Sequence, residues 1–247
     1  MILDLIAEIG LGAWLFCLVS VTVGTVLQRL TGQGFGMVAA PMVALVAPQM
    51  LPAALLLLGL FVGLSAFRAD FGAVNLRELP PGFAGRTLGA IIAALIAAQL
   101  VETDHLAFAI ACIVFVAIGL SLVGLRVAIR PISLFLAGTT AGIMGTLTAI
   151  GAPPMALLYQ HEERARSAAM QNTYFMFGMA VSLSALTWQG LIHQRAVLFA
   201  LMLAPGVPIG LVLTPVLASR LKGYPMRPIA LGLAGTSATT LLLKSLY

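Results

Sequence analysis

The sequence predicts an all-α polytopic membrane protein built from two inverted repeats, each a broken or re-entrant helical hairpin plus three transmembrane helices. Three observations lead there. The chain of 247 residues is 61% hydrophobic and only 9% charged, with a mean hydropathy of +1.08. A soluble domain carries about 25% charged residues. Second, the apolar residues form continuous runs, such as LAFAIACIVFVAIGLSLVGL at 106–125. A transmembrane barrel would alternate apolar and polar residues in segments of about ten, so the backbone must satisfy its hydrogen bonds within helices. Third, two of the runs are interrupted by clustered glycine and proline, one in each half.

Taken in order, the first repeat occupies residues 1–126. Its opening, MILDLIAEIG, holds Asp4 and Glu8 but no Lys or Arg. A secretory signal begins with positive charge, so the first apolar run is expected to be a retained helix. Ile9–Gln28 is free of charge, Arg29 follows, and a second uncharged run from Leu30 to Phe67 is broken by Gly32, Gly34, Gly36 and Pro41. This is the first hairpin, about residues 11–47. Helices are expected at Leu51–Phe67, Gly82–Leu100 and Leu106–Leu125. Arg86 falls in the first turn or two of the second of these, near enough to the surface to snorkel.

The second repeat occupies 127–247. Pro131–Gln160 carries no charge over thirty residues and contains Gly138, Gly142, Gly145, Gly151, Pro153 and Pro154. One span needs about 20 apolar residues and two need about 40, so this length reads as a helix that enters, breaks and returns. Helices follow at Ser167–Thr187, Ala196–Ala218 and Pro228–Leu243.

Charge tests the re-entrant reading. If 131–160 crosses fully, Arg68, Arg77, Arg86, Arg126, Arg130, Arg195 and Lys244 face Arg164, Arg166, Arg220, Lys222 and Arg227, seven against five. If it returns to the side it left, ten share a side and only Arg195 and Lys244 oppose them. Arg29, inside the first broken element, is outside both counts. The positive-inside rule selects the second arrangement and makes the ten-residue side cytoplasmic, with both termini outside. Each half then crosses an odd number of times, so the second is inverted relative to the first. Pro41-Met42-Val43-Ala44-Leu45 matches Pro154-Met155-Ala156-Leu157-Leu158 at an offset of 113, which also brings Gly32 onto Gly145. The spacing Gly72 to Arg77 recurs as Gly190 to Arg195, and Pro81-Gly82 as Pro205-Gly206.

The glycine-rich turn LTGQGFGMVAAPMVAL, repeated as GTTAGIMGTLTAIGAPPMALL and each time followed by a hydrophobic helix and a Gly-x-x-His/Asn-x-Arg loop, resembles the sulfite exporter TauE/SafE family, also called the toluene-sulfonate uptake permeases. The likeness covers nearly the whole chain. It implies a secondary transporter that exports sulfite, sulfoacetate or other organosulfonates across the bacterial cytoplasmic membrane. The family's triple glycine is altered here to Gly34-Phe35-Gly36 and Ala149-Ile150-Gly151. Gln171-Asn172-Thr173 sits where relatives place a small polar patch.

A compact sulfur anion needs donors to replace its hydration. Half-helix N-termini offer unpaired N–H groups and about half a positive charge, and two such ends are expected, after Gly34 and Gly36 and after Gly151. The competing reading of these glycines is close helix packing. Arg29 would neutralise the anion with a bidentate fork, or would anchor the end of a full span at the surface. Gln33, Thr146, Thr148, Gln171, Asn172, Thr173 and Tyr174 are neutral donors near the tips, although membrane threonines often bond only their own backbone. Asn172→Leu and Gln33→Leu are expected to abolish ligand binding and leave the fold intact. Asp70, Glu78, Glu102, Asp104, Glu162 and Glu163 fall in loops and are expected to be solvated. A channel-like anion conductor, or a permease for another small organic anion, shares all these features.

Other classes find no support. Cys17 and Cys112 lie in apolar runs with no CxxC partner, as buried small hydrophobes do. The pI of about 9.8 reflects a net charge of only +5 without a polybasic run, so nucleic acid is not expected. No Walker, GxSxG or HExxH pattern occurs, so neither an enzyme nor a cofactor is expected. The lipid bilayer and the small anion are the expected partners, with a homo-oligomer possible.

Overall fold

The structure, a computed structural model, describes residues 8–100 and 127–220, with Leu5 and scattered positions between 112 and 119 and between 232 and 240. Nine α-helices lie in the two continuous stretches: α1 Leu11–Thr31, α2 Phe35–Val46, α3 Ala53–Asp70, α4 Leu79–Leu100, α5 Pro131–Thr148, α6 Ala152–Tyr159, α7 Arg164–Trp188, α8 Gln194–Leu203 and α9 Gly206–Arg220. The helices expected at 106–125 and 228–243 lie outside the described residues except at those scattered positions, which are helical. Five stretches, Leu11–Thr31, Ala53–Ala73, Leu76–Gln99, Pro131–Thr148 and Gln194–Arg220, are long and apolar enough to cross a membrane. The outer surface is correspondingly apolar, with Phe61, Ile132, Val212 and Trp188 all more than 60% exposed. The protein is a multi-pass membrane protein, and these side chains suit contact with lipid.

Both interruptions are real breaks. α1 ends on Gly32 in the left-handed conformation (φ 74°), and α2 begins after Gly34 (φ 137°). α5 ends on Ala149, also left-handed (φ 63°), and α6 begins after Gly151. Glycine enters that region freely, and Ala149 is the one non-glycine residue there among those described. The breaks therefore correspond as Gly32 with Ala149 and Gly34 with Gly151. The sequence match through Pro41 and Pro154 aligns different positions. Pro153 and Pro154 sit in the first turn of α6, where a missing N–H costs nothing, whereas Pro41 lies inside α2. The helix expected at 196–218 is likewise two, parted at Ala204-Pro205.

α5–α6 returns to the end it left. Ile129 and Leu134 at its start share one apolar cluster with Met155, Leu158 and Tyr159 at its finish, together with Val74 and Leu79 from the α3–α4 turn. That end is charged: Arg29 pairs with Asp70 at 2.9 Å, Arg166 with Glu78 at 2.6 Å and with Glu162 at 2.8 Å. α1–α2 comes from the other end, where Glu8 pairs with Arg195 and the turn at 48–50 packs on α8.

Small residues set the closest approaches. α4 and α5 run parallel with backbones in contact: a Cβ on Gly85 would lie 2.0 Å from the Phe135 carbonyl oxygen, and one on Gly89 2.1 Å from that of Thr139. α9 packs parallel on α1 in the same manner, with Gly206 against Leu18 and Val21, and Gly210 against Thr22 and Thr25. α3 and α7 cross antiparallel at the centre, through Gly59 on Met179 and Gly63 on Met176. In hydrocarbon such backbone proximity replaces the hydrophobic drive as the source of helix association.

Candidate functional site where two broken helices meet

The two breaks meet. A Cβ on Gly36 would lie 2.0 Å from the Ala149 carbonyl oxygen, so the first turn of α2 rests on the α5–α6 break. α7 supplies the scale. It is 25 residues long, about 37 Å. Phe35 packs edge-on against Phe175, and Gly151 shares the Arg86 guanidinium with Gly178. Residues 175 and 178 are at mid-helix, so both half-helices start near the middle of the bundle and run to opposite ends.

Each break is held by side chains. Gln28 spans the first: its Nε2 donates to the Gly32 carbonyl (2.8 Å) and to Asn172 Oδ1 (3.0 Å), and its Oε1 accepts from the Phe35 N–H (3.2 Å). Asn172 continues the relay, donating to Asp70 Oδ2 at 2.8 Å, and Arg29 completes it on the same oxygen. Thr148 spans the second break: its hydroxyl donates to the Met144 carbonyl and accepts from the Ile150 N–H.

These contacts fix the place of each residue expected from the sequence. Arg29 lies at the charged end, its side chain 20% exposed and paired with Asp70, the geometry that anchoring requires. Gly34 and Gly151 open the half-helices, and Gly36 is the contact between them. Asn172 is fully buried with its amide bonded to Gln28 and Asp70, so Asn172→Leu is expected to cost stability as well as any binding. Thr173 bonds its own backbone at Ala169. Tyr174 donates to the Glu78 carbonyl at 2.6 Å. Gln33 and Gln171 line a cleft of about 220 Å³ at the charged end with Thr31, Glu162, Arg164 and Ser167. Gln171 donates to Ser167 Oγ, and its Oε1 is buried without a partner. Asp70 and Glu78 are only partly solvated, not free in a loop as expected. Asp70 is held by Arg29 and Asn172, and Glu78 by Arg166, Asn75 and Tyr159, because α1, α6 and α7 all bring donors to the α3–α4 turn.

Arg86 is the largest departure. It does not snorkel: α4 begins three residues earlier than expected, at Leu79, and the side chain turns inward, 2% exposed. Its Nη1 donates to the Gly151 carbonyl at 3.2 Å, while Nε and Nη2 have no partner. The sequence signal was its setting, a lone charge among Gly82, Gly85 and Gly89. Beyond it Thr146 and Ser182 exchange a buried hydroxyl hydrogen bond of 2.7 Å. Gln171, Tyr174, Gly178 and Ser182 share one face of α7 at helical spacing. A polar line thus runs from the open cleft, past Arg86, through an apolar bundle.

No group of three or more His, Cys, Asp or Glu suited to a metal occurs among the described residues. No curated protein and no solved structure matches the chain. The family model described as sulfite exporter TauE/SafE matches residues 16–241, nearly the whole length, and it accords with a helical membrane bundle broken twice at its centre: the chain belongs to the sulfite exporter TauE/SafE family.

Proposed function

We propose that the protein is a secondary transporter that exports small sulfur-containing anions, such as sulfite, sulfoacetate or another organosulfonate, across the bacterial cytoplasmic membrane by alternating access. Membership of the family implies sulfite exporter or transporter activity. The finer reading rests on one observation, that two half-helices entering from opposite ends begin side by side at mid-bundle, Gly36 on Ala149. Broken helices of this kind are where transporters hold their substrates.

An inverted repeat at 1–126 and 127–247 is part of the same reading. Under it α1–α2 corresponds to α5–α6, α3 to α7, and α4 to α8–α9. The pairing of α5 with α4 then mirrors that of α1 with α9, and α3 crosses its own counterpart. The charged end carrying Arg77, Arg164 and Arg166 is assigned to the cytoplasm by its positive charge, which leaves the termini outside. In this reading the anion enters by the cleft at Gln33 and Gln171 and reaches the breaks at Gly34, Gly36, Thr148 and Gly151. Thr173 and Tyr174 pack beside that route, and Arg29 and Asn172 hold the first break in place.

Counterflow tests it. Proteoliposomes loaded with unlabelled sulfite are expected to accumulate labelled sulfite transiently, with saturable initial rates. Flux that is linear in concentration without counterflow assigns a channel, and absence of any sulfur-anion flux rejects the proposal.

A further inference from the structure

We propose that Arg86 holds the transported anion, and that the free edge of its guanidinium selects a singly charged oxyanion. This deepens the function proposed above and rests on it for the transport step. Arg86 is the one buried charged side chain among the described residues. Its Nη1 is taken by the Gly151 carbonyl. The two unpartnered nitrogens, Nε and Nη2, form one edge of the planar fork, the edge that grips two oxygens of a carboxylate, sulfonate or phosphate at once.

The surroundings preserve that edge. A Cβ on Gly178 would lie 2.1 Å from Nε and 2.2 Å from Nη2, one on Gly145 2.7 Å from Nη2, and one on Gly151 2.3 Å from Nη1. Three glycines from two helices and the second break thus make room for the guanidinium without offering it an acceptor, and Gly178 packs directly on the Nε–Nη2 edge, so an anion reaches that edge only by displacing α7 from it. No carboxylate pairs with it among the described residues, Asp70 being committed to Arg29 and Glu78 to Arg166. A buried charge with unspent donors is costly unless something pairs with it. At the tips the Phe35 and Ile150 N–H groups are already bonded to Gln28 and Thr148, and Pro153 and Pro154 have none.

Charge balance sets the class of ligand. One guanidinium neutralises one negative charge. A sulfonate or hydrogen sulfite leaves the site neutral, whereas sulfate leaves an excess negative charge in an apolar core with no second buried cation among the described residues.

The test measures binding of methanesulfonate, sulfite, acetate and sulfate to the purified full chain in detergent, and counterflow in proteoliposomes. Wild-type protein is expected to bind methanesulfonate at least about 10-fold more tightly than sulfate. Arg86→Gln is expected to lose about 100-fold in sulfite and methanesulfonate affinity, as truncating a buried charge pair does. Arg86→Lys, which keeps the charge without the fork, is expected to lose about 10-fold. Gly178→Ala displaces the guanidinium without removing it and should also weaken binding about 10-fold. Arg86→Met removes an unpaired buried charge and should raise the melting temperature of the ligand-free protein.

Sulfite counterflow that persists in a folded Arg86→Gln variant with unchanged affinity overturns this inference and leaves the transport function intact. Acetate bound in an Arg86-dependent manner without any sulfur-anion flux supports Arg86 and rejects the sulfur substrate. Sulfate binding as tight as methanesulfonate overturns the charge selection. A lower melting temperature for Arg86→Met with undiminished binding marks a structural arginine and overturns the assignment, as does a wild-type protein that binds none of the four.

Discussion

The Gln28–Asn172–Asp70–Arg29 relay makes a quantitative demand on the first break. Asn172→Leu removes two hydrogen bonds, one accepted from Gln28 Nε2 at 3.0 Å and one donated to Asp70 at 2.8 Å. The two losses are unequal. Gln28 is wholly buried, so its stranded donor carries a desolvation penalty of about 1–3 kcal/mol. Asp70 keeps Arg29 and is 25% exposed, so water replaces much of what it loses and the cost stays within about 1 kcal/mol. The substitution is therefore expected to cost about 1–4 kcal/mol. Gln28→Leu deletes the stranded donor in advance, so in that background Asn172→Leu should cost only the Asp70 part. The double-mutant cycle should then report a coupling of about 1–3 kcal/mol. Unfolding free energies from reversible denaturant titration in mixed micelles measure it. A coupling below about 0.5 kcal/mol, the usual additivity error, would refute the claim that these amides jointly hold the break.

Three further outcomes are expected. Gly36→Ala drives a methyl group into the Ala149 carbonyl and should destabilise by about 1–3 kcal/mol, with loss of sulfite counterflow; a variant with wild-type melting temperature and flux would show that the tips do not meet. Ala149→Gly relieves a left-handed non-glycine residue and should raise stability by up to about 1 kcal/mol, read as an upward shift in denaturation midpoint. Arg29→Gln breaks a partly exposed ion pair and should cost no more than about 1 kcal/mol, with sulfite affinity retained; a large loss of affinity would return Arg29 to the site.

The breaks were legible in the sequence because they are made of residues with distinctive backbone chemistry. Gly32, Gly34, Gly151, Pro153 and Pro154 all punctuate the chain where the sequence placed them. The return of 131–160 to its own end was legible from length and charge, since thirty uncharged residues fit neither one span nor two. The position of each turn relative to the Pro-Met motif was not. The shared Pro-Met motif aligns Pro41 with Pro154, yet the backbone turns at Gly32 and Ala149, because tertiary packing fixes the turn and tolerates Pro41 inside α2. The roles of Arg86 and Arg29 were also hidden. Which way a side chain near a helix end points depends on whether a neighbouring backbone leaves it room, and the room for Arg86 comes from Gly145, Gly151 and Gly178, distant in sequence. Gln28 was missed for the same reason: its three partners assemble only when the first break forms.

Where the bundle can move follows from what touches what. The α4–α5 contact is backbone on backbone at Gly85, Gly89, Gly138 and Gly142, with no flexible side chains to absorb sliding. The α1–α9 contact adds short β-branched side chains to backbone, Gly206 meeting the Leu18 carbonyl, Val21 and Thr22, and Gly210 the Thr22 carbonyl and Thr25. Each pair is therefore expected to move as a rigid body. Packed interfaces are bistable more than deformable, so a conformational change has to fall where the contacts are made by adaptable side chains. At the central α3–α7 crossing Gly59 meets only the Met179 and Phe175 side chains, while Gly63 meets the Met176 backbone as well; methionine repacks at low cost, so the Gly59 side of the crossing is the adaptable one. That crossing joins the two halves, and Arg86 reaches Gly178 one turn from Phe175. A shift of α7 against α3 would change the exposure of the guanidinium edge without breaking either glycine-packed pair. The ion pairs of Arg166 with Glu78 and Arg29 with Asp70 tie α7 and α1 to the α3–α4 turn beside the open cleft.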